Sequence, residues 1–370
     1  MKFRSNKSAV ARELNLLQGV VEKKNTIPIL SHILIEASDG GEISMIATDL
    51  DVSVTTTCEA QIDQAGSMVV SARKLFDIVR NLPESEIDFV TQENNWVRVS
   101  CGSSDFKIAG QAREHFPSTP KAGAKGLAFP SSLLNKLISR TIYAITQEES
   151  RYALNGSLMI SSEDRLQMVA TDGHRLAISA GESVEGGSKE QARVIIPRKA
   201  LTELMRLTAG EDSPVEFSKD ENHLFFSVGK RQLTSRMLAG QFPNYELVLP
   251  KNNDKSFTTS TDGITQAIRR ASLMADERSH GVKFELATGR LSITSQTADV
   301  GEAKEVIPVD YEGDVLNIGF NAAYLLDFLT VAGSEQTIFE FKDDQSPALL
   351  RPQGESGEDY RYVVMPMRLM

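Results

Sequence analysis

"MIATDLDVSV" at residues 45–54 and "MVATDGHRLA" at residues 168–177 begin almost identically, and Ala47 and Ala170 of their shared Ala-Thr-Asp lie 123 positions apart. An offset kept along one chain marks internal duplication, in which each copy is one structural unit. Other pairs keep it. "VVSARKLFDIVRNLP" (69–83) matches "VIIPRKALTELMRLT" (194–208), with Arg73 and Arg198 125 apart. "REHFPSTP" (113–120) answers "AGQFPNYE" (239–246), with Phe116 and Phe242 126 apart. A fainter third copy follows. "GVKFELATGRLSITS" (281–295) resembles residues 32–49, "LNIGFNAAYLLDFLTVAG" (316–333) takes the place of the Arg-Lys helix, and Met365-Pro366 stands 123 positions after Phe242-Pro243. The chain therefore divides into three repeats, 1–122, 127–251 and 252–370.

Length and composition agree with this division. A chain of 370 residues exceeds one ordinary core, and a third of it is near the common domain size. With 41% hydrophobic and 24% charged residues it has the balance of a soluble globular protein. No apolar run reaches signal-peptide or membrane-span length, so the expected location is cytoplasmic. The two cysteines, Cys58 and Cys101, lie in strand-like runs without metal-ligand spacing and are expected to be reduced and structural.

Each repeat opens with an amphipathic helix. Val10, Leu14, Leu17 and Val21 fall on one stripe of "KSAVARELNLLQGVVEKK", as Leu133, Leu134, Leu137 and Ile138 do in the second copy. Alternating strands follow, such as "HILIEAS" and "EISMIAT". A second helix comes next, opened by Ser71 or Pro197, and then further strands, among them "EIDFVTQ", "WVRVSCG" and "DFKIAGQ". The expected fold is α+β: three repeated domains, each with two helices packed on antiparallel sheets.

Charge is divided unevenly among these elements. The six predicted helices, 7–24, 71–82, 131–146, 197–208, 261–275 and 320–332, together carry +8, leaving −18 for the rest of a chain of net charge −10. The pI near 5.2 argues against nucleic acid if only the total is considered. Helices sharing one surface would instead make a basic face on an acidic molecule, suited to phosphate contact that ignores base sequence. The plainer alternative is that Lys and Arg decorate solvated helix faces. Repeats also leave complementary end faces, and a head-to-tail contact closes into a ring if the rotation divides evenly. Two three-repeat chains closed with helices inward would enclose a basic hole wide enough for duplex DNA.

The chain resembles the bacterial sliding clamps, the beta subunits of DNA polymerase III, over essentially its whole length. The resemblance is carried by "TIPIL" (26–30), "ATDLDV" (47–52), "SARKLFDI" (71–78), "RYALNG" (151–156), "VATDGHRLA" (169–177), "PRKAL" (197–201), "FPNYELVLPK" (242–251), "IGFNAAYLLD" (318–327) and "YVVMPMRL" (362–369). It implies a homodimeric ring that encircles duplex DNA, slides on it, and tethers the replicative polymerase and other replication and repair proteins. It also implies loading by an ATP-driven clamp loader, no chemistry of its own and no cofactor or metal; a phosphate-binding G-x-x-x-x-G-K-[ST] loop is not in the sequence. Met370 extends one residue past the family's Arg-Leu ending. Ala153 stands where a second aromatic often follows the position of Tyr152.

The cluster Asp172, His174 and Arg175 looks like an active-site fragment, and a hydrolase using it is the competing reading. "TDGHRL" supplies no Ser or Cys on a strained elbow, and Asp49 fills the matching place without His or Arg, so Asp172-Gly173 reads better as a turn. The resemblance instead assigns this stretch to a peptide-binding pocket of Leu154, Thr171, Gly173, His174, Arg175, Leu176, Pro243, Val248, Tyr324, Val363, Met365, Pro366, Met367 and Arg368. Flexible Met365 and Met367 suit a groove that repacks around different partners, and Arg175 and Arg368 suit acidic flanks, although Met and Val also read as plain core of a last strand.

For DNA the resemblance implies Lys24, Arg73, Lys74, Arg198 and Lys199, with Tyr152 nearby; helix position alone adds Lys136, Arg140, Arg206, Arg269 and Arg270. At the contact between chains it implies Phe106 and Ile108 against Leu273 and Met274. A third reading is a three-domain scaffold whose basic helices bind another acidic protein surface.

Overall fold

Strand alternation becomes four antiparallel sheets among the described residues, which in this computed structural model are all except 22–26, 39, 124–125, 149, 163, 183–191, 299, 355–358 and 369–370. Lys24 and Met370 lie outside the described residues. All six predicted helices form: α1 (Lys7–Leu17), α2 (Ala72–Asn81), α3 (Ser131–Ser139), α4 (Arg198–Thr208), α5 (Thr261–Ser272) and α6 (Ala322–Val331). Side chains one residue before the helix start, Asn6, Ser71, Ser260 and Asn321, cap α1, α2, α5 and α6.

Two helices stop earlier than their periodicity suggests. α1 ends at Leu17, and just beyond it Gly19 lies against the Glu203 and Arg206 side chains of α4, where a Cβ would collide with both. α3 ends at Ser139 and a short 3-10 turn follows at Ile142–Ala144. With these bounds the helices carry a net +6 rather than +8. Ahead of α1 the residues Lys2–Asn6, for which the sequence carries no strand signal of its own, form a strand that buries Phe3 and Ser5 on alternate positions.

The chain forms two compact units that cut across the repeats: Met1–Ser132 with Lys199–Met237, and Leu133–Arg198 with Leu238–Met370. The cause is sheet continuity. In the first unit, Val52–Glu59 of the first repeat pairs with Arg231–Arg236 of the second, joining their strands into a nine-stranded sheet. In the second unit, Arg175–Glu182 of the second repeat pairs with Asp359–Val364 of the third in an eight-stranded sheet. A five-stranded sheet in the first unit ends on Ser104–Ile108, and a four-stranded sheet in the second ends on Gly301–Pro308. These two strands hold the junction places in the repeat but have no partner strand on their outer side among the described residues.

The twin decapeptides form twin turns. Asp49 Oδ1 accepts the N–H groups of Asp51 (2.9 Å) and Val52 (2.6 Å), and Asp172 Oδ1 accepts those of His174 (2.9 Å) and Arg175 (3.1 Å). The residue between is left-handed in both: Gly173 at φ +91° and Leu50 at φ +82°. For glycine this costs nothing; for leucine it costs roughly 1–2 kcal/mol.

Beneath the first junction Glu13 is buried at 2% exposure and accepts Arg231 Nη2 (2.8 Å), Arg231 Nε (3.0 Å), Thr56 Oγ1 (2.5 Å) and Arg12 Nε (2.9 Å). Burial pushes the Glu13 carboxyl up, but the bonds from Arg231, Thr56 and Arg12 outweigh it and hold the group below the usual glutamate range. Cys58 and Cys101 are buried free thiols, and burial raises that of Cys58.

Two outcomes follow for the first unit. Leu50→Gly removes the left-handed strain and is expected to stabilise by about 0.5–1 kcal/mol after the unfolded-state entropy of glycine is counted; a lower urea midpoint than wild type would contradict this. Because Glu13 is depressed in the folded state, its contribution is present above its unfolded value of about 4.3 and is lost as pH falls through the folded value. Urea midpoints from pH 7 to 3 should therefore fall more steeply for wild type than for Glu13→Gln, and parallel curves would remove the assignment.

Candidate functional site

In the second unit Leu176 pairs directly with Val363, and the two form the floor of an apolar cluster with Leu158, Val169, Ile178, Ile195, Phe242 and Tyr245. Ala153 and Leu154 pack on its edge, so the alanine that departs from the family pattern belongs to this cluster. Around it Leu247 (77% exposed), Val248 (48%) and Met365 (42%) stand in solvent, and Pro243 is exposed. The result is an apolar depression with a buried floor and an open rim.

The first unit has the counterpart cluster, Leu34, Val69 and Phe116 with Ile29 and Ile46. Its junction pair, however, is Ser53 with Thr234 in the places of Leu176 and Val363. Ser53 Oγ donates to Thr48 Oγ1 at 2.7 Å, so that junction closes on hydrogen bonds. Duplication supplied the frame twice, and side-chain choice made one of these two junctions apolar.

Beside the depression a cavity of about 400 Å³ is lined by Tyr143, Glu148, Asp172, His174, Arg175 and Tyr324, among others. Arg175 anchors it. Its guanidinium donates to Asp172 Oδ2 (2.9 Å), Asp327 Oδ2 (2.6 Å) and the Tyr143 carbonyl (2.7 Å), and lies 4.3 Å from the centre of the Tyr324 ring. Burial opposes its charge, but Tyr362, Asp327 and Asp172 more than offset that and raise its pKa. Tyr143, Tyr360 and Tyr362 behind it are all raised by burial, and the Tyr143 and Tyr360 hydroxyls share a 2.9 Å hydrogen bond. With its side chain 9% exposed and its charge held between Asp172 and Asp327, Arg175 is a structural anchor rather than the free partner for an acidic peptide flank that the sequence suggested.

The same contacts fix the roles of Asp172 and His174. Asp172 uses Oδ1 on the backbone of His174 and Arg175 and Oδ2 on the Arg175 side chain, so it serves a turn and an ion pair rather than a base. His174 is exposed, its ring 6.5 Å from that of Tyr324, and its carbonyl accepts the N–H of Met365 at 2.9 Å. Thr171 Oγ1 donates to the Arg175 carbonyl (2.6 Å) and accepts the Gly173 N–H (3.1 Å).

Of the fourteen residues expected in a pocket, Leu154, Leu176 and Val363 lie in the apolar cluster, His174, Arg175 and Tyr324 line the cavity, and Thr171, Gly173 and Met365 are hydrogen-bonded among these residues, while Met367 and Arg368 line a separate groove on the four-stranded sheet. Sequence reasoning missed Asp327, Tyr143, Leu247 and Arg151, whose Nη1 donates to the Asp172 carbonyl at 3.1 Å. The first was findable: Asp327 lies three residues past Tyr324 on α6, hence on the same helix face.

The basic residues fall into two groups. In the first unit Arg73 and Lys74 are exposed at the start of α2, with Arg73 3.9 Å from Asp77. Lys199 on α4 is committed to Asp49 and the Val20 carbonyl, and Arg206 to Glu203 and the Asn15 carbonyl. In the second unit Tyr152 is 72% exposed, Arg269 is exposed, Arg270 pairs with Glu305 at 2.6 Å, Lys136 is half-buried, and Arg198 donates to the Ile145 carbonyl. Arg140 corrects the sequence reading: it is 3% exposed, stacked 4.8 Å over Tyr360, and donates to the Ala332 carbonyl, so it is a core cation without access to phosphate. Phe106 (39%) and Leu273 (74%) are exposed, while Ile108 and Met274 are half-buried.

Arg175→Lys keeps the charge but loses the forked pairing and the ring stack, and is expected to destabilise the second unit by about 2 kcal/mol. An unchanged denaturation midpoint would show that the anchor role is wrong.

Comparison with known proteins follows this geometry. Three family descriptions match in order: DNA polymerase III beta subunit N-terminal domain at residues 1–120, central domain at 128–244 and C-terminal domain at 246–368. The chain is 36% identical over 372 residues to the beta sliding clamp of Pseudomonas putida and 33% over 374 residues to that of Escherichia coli K12, all of both chains being covered in each case. It superposes on the crystal structure of the DNA polymerase III subunit beta of Pseudomonas aeruginosa with a TM-score of 0.93 at 35% identity, again over 100% of each chain. A Pseudomonas aeruginosa clamp bound to griselimycin gives a TM-score of 0.93 at 36% identity over the same coverage. With three domains of the family matched in sequence and the whole fold matched in space, the chain belongs to the bacterial beta sliding clamps, DNA-bound processivity factors of DNA polymerase III that are not enzymes.

Proposed function

We propose that this sliding clamp works as a head-to-tail homodimeric ring around duplex DNA and tethers its partners through the depression floored by Leu176 and Val363. The observation that carries the ring is the pair of unmatched junction strands, Ser104–Ile108 and Gly301–Pro308. Two junctions are satisfied within the chain, 52–59 with 231–236 and 175–182 with 359–364; the third is satisfied by pairing the remaining strands between two chains. Edge strands with unpaired N–H and C=O groups attract a partner strand unless blunted. Apolar side chains at both edges support the contact: Phe106 on one, and Val306 (55% exposed) with Leu273 on and beside the other. Each chain would give three domains, 1–122, 127–251 and 252–370.

Within the ring, Arg73, Lys74, Lys136, Arg198, Arg206, Arg269, Arg270 and Tyr152 face or border the DNA, with the exposed Arg73, Lys74 and Arg269 making the most direct approach. Exposed contacts at about a Debye length from phosphate are screened, which keeps each weak and permits sliding. Partners are the replicative polymerase, a clamp loader that opens the ring with ATP, and other replication and repair proteins bearing short apolar peptides. The rim of Val248, Met365 and Pro243 can adjust to different side chains, and the griselimycin complex of a relative supports a ligand site on clamps of this type. No helix is long and apolar enough to cross a membrane among the described residues, and the proposed compartment is the cytoplasm.

The test is topological. The clamp is loaded on nicked circular DNA with a matched loader and ATP, and the circle is then cut with a restriction enzyme. Retention before cutting and loss after it is expected; equal retention on linear DNA would mean ordinary surface binding and would end the ring reading.

A further inference from the structure

We propose that the two chains of the ring meet in a single register, with Lys107 of one chain opposite Glu302 of the other and Asp105 opposite Lys304, so that two ion pairs of opposite polarity select the pairing at each contact. This rests on the ring reading above and says how its two edges recognise each other. The register is transposed from the junctions within the chain. In the first, Val54 stands opposite Leu233; in the second, Ala177 stands opposite Tyr362. Val54 and Ala177 are 123 positions apart, the offset of the duplicated Ala-Thr-Asp runs, so Leu233 and Tyr362 hold one place in the repeat.

Neighbouring strands locate the third copy of each place. Arg165 opens its strand opposite Glu182, and Arg290 opens its strand opposite Pro308, which makes Glu302, Ala303 and Lys304 the counterparts of Leu176, Ala177 and Ile178. On the other side each row of opposed residues begins at a buried phenylalanine: Phe217 to Phe226 to Leu233, Phe339 to Leu350 to Tyr362, and Phe89 to Val99 to Phe106. Phe106 therefore takes the place of Tyr362 and meets Ala303 of the next chain, as Tyr362 meets Ala177. Antiparallel pairing then sets Lys107 opposite Glu302 and Asp105 opposite Lys304.

Charge supports this register over its neighbours. All four residues are exposed, and they lie on the sheet faces opposite the buried Val97 and Val99 on one side and Leu291 and Ile293 on the other. A shift of two residues sets Glu302 against Asp105 or Lys304 against Lys107, and like charges directly opposite are destabilising. A shift of one turns a charged row toward the core. Among the described residues Lys107, Glu302 and Lys304 have no ion pair within the chain, Lys107 resting 5.0 Å from the centre of the Trp96 ring. Asp105 accepts Arg98 at 2.7 and 3.0 Å, which fixes its carboxylate at the edge with lone pairs left for a second cation. At one place in the frame, then, the three junctions carry Ser53 with Thr234, Leu176 with Val363, and Glu302 with Lys107.

Charge reversal on the full-length protein tests the register. Lys107→Glu and Glu302→Lys are made in separate chains, and dimerisation is measured by sedimentation equilibrium at low salt. Each variant alone sets like charges opposite at both contacts of its ring, and its dimer dissociation constant is expected to rise roughly 10-fold or more. Mixed in equal amounts the two are expected to form heterodimers at near wild-type affinity, because every contact then joins unlike charges. Independently, oxidation of a chain carrying Lys107→Cys and Glu302→Cys is expected to give a covalent dimer, and oxidation of one carrying Asp105→Cys and Glu302→Cys, two residues out of register, is not. Unchanged dimerisation of either reversal, a mixture no more dimeric than its parts, or preferential cross-linking of the out-of-register pair would overturn the register. A wild type that stays monomeric at every concentration would overturn the ring reading and this inference with it.

Discussion

Backbone pairing across repeat boundaries is the constraint on which the molecule depends. A strand at the end of a sheet exposes a row of donors and acceptors that must find partners. Here Val52–Glu59 finds Arg231–Arg236, and Arg175–Glu182 finds Asp359–Val364. Each pairing fuses strands from two repeats, so the compact units of the chain are junctions rather than repeats. Ser104–Ile108 and Gly301–Pro308 are left as sheet edges among the described residues, and on them the proposed pairing between chains rests.

The junctions share a frame and differ in what fills it. The first is closed by Ser53 and Thr234 and braced by the buried Glu13–Arg231 pair. The second is floored by Leu176 and Val363 and braced by Arg175 between Asp172 and Asp327. A buried ion pair contributes little net stability against an apolar substitute but is costly to break from one side. In this protein such pairs sit where sheets join, and that position suits a role in fixing register. Loss of one partner would expose the other's charge in the place where the fold is least tolerant.

Much of this was legible in the chain. The duplicated Ala-Thr-Asp runs fixed the repeat, the 3.6-residue stripes located all six helices, and the alternating runs located most strands, because those signals are local and periodic. Of the positions that the family segments suggested, Leu154, Leu176 and Val363 share the apolar cluster and His174, Arg175 and Tyr324 the cavity beside it. Legibility failed where distance along the chain was large. Lys2–Asn6 forms a strand because neighbours from 61–64 and 86–91 receive it, and nothing in five residues announces them. Arg140 counted as a surface cation by helix position, yet Tyr360, 220 residues away, covers it.

By itself the sequence determined the repeat, the helices, the excess of positive charge on those helices and the family, all of which follow from residue type and spacing. Tertiary structure alone decided which cations are spent and which are free, because pairing depends on what folding brings within about 4 Å. Arg175 and Lys199 read as ligand contacts in the sequence and are internal anchors in the fold, held by Asp327 and Asp49. Those partners come from 152 and 150 positions away along the chain, a pairing that no single stretch of sequence contains.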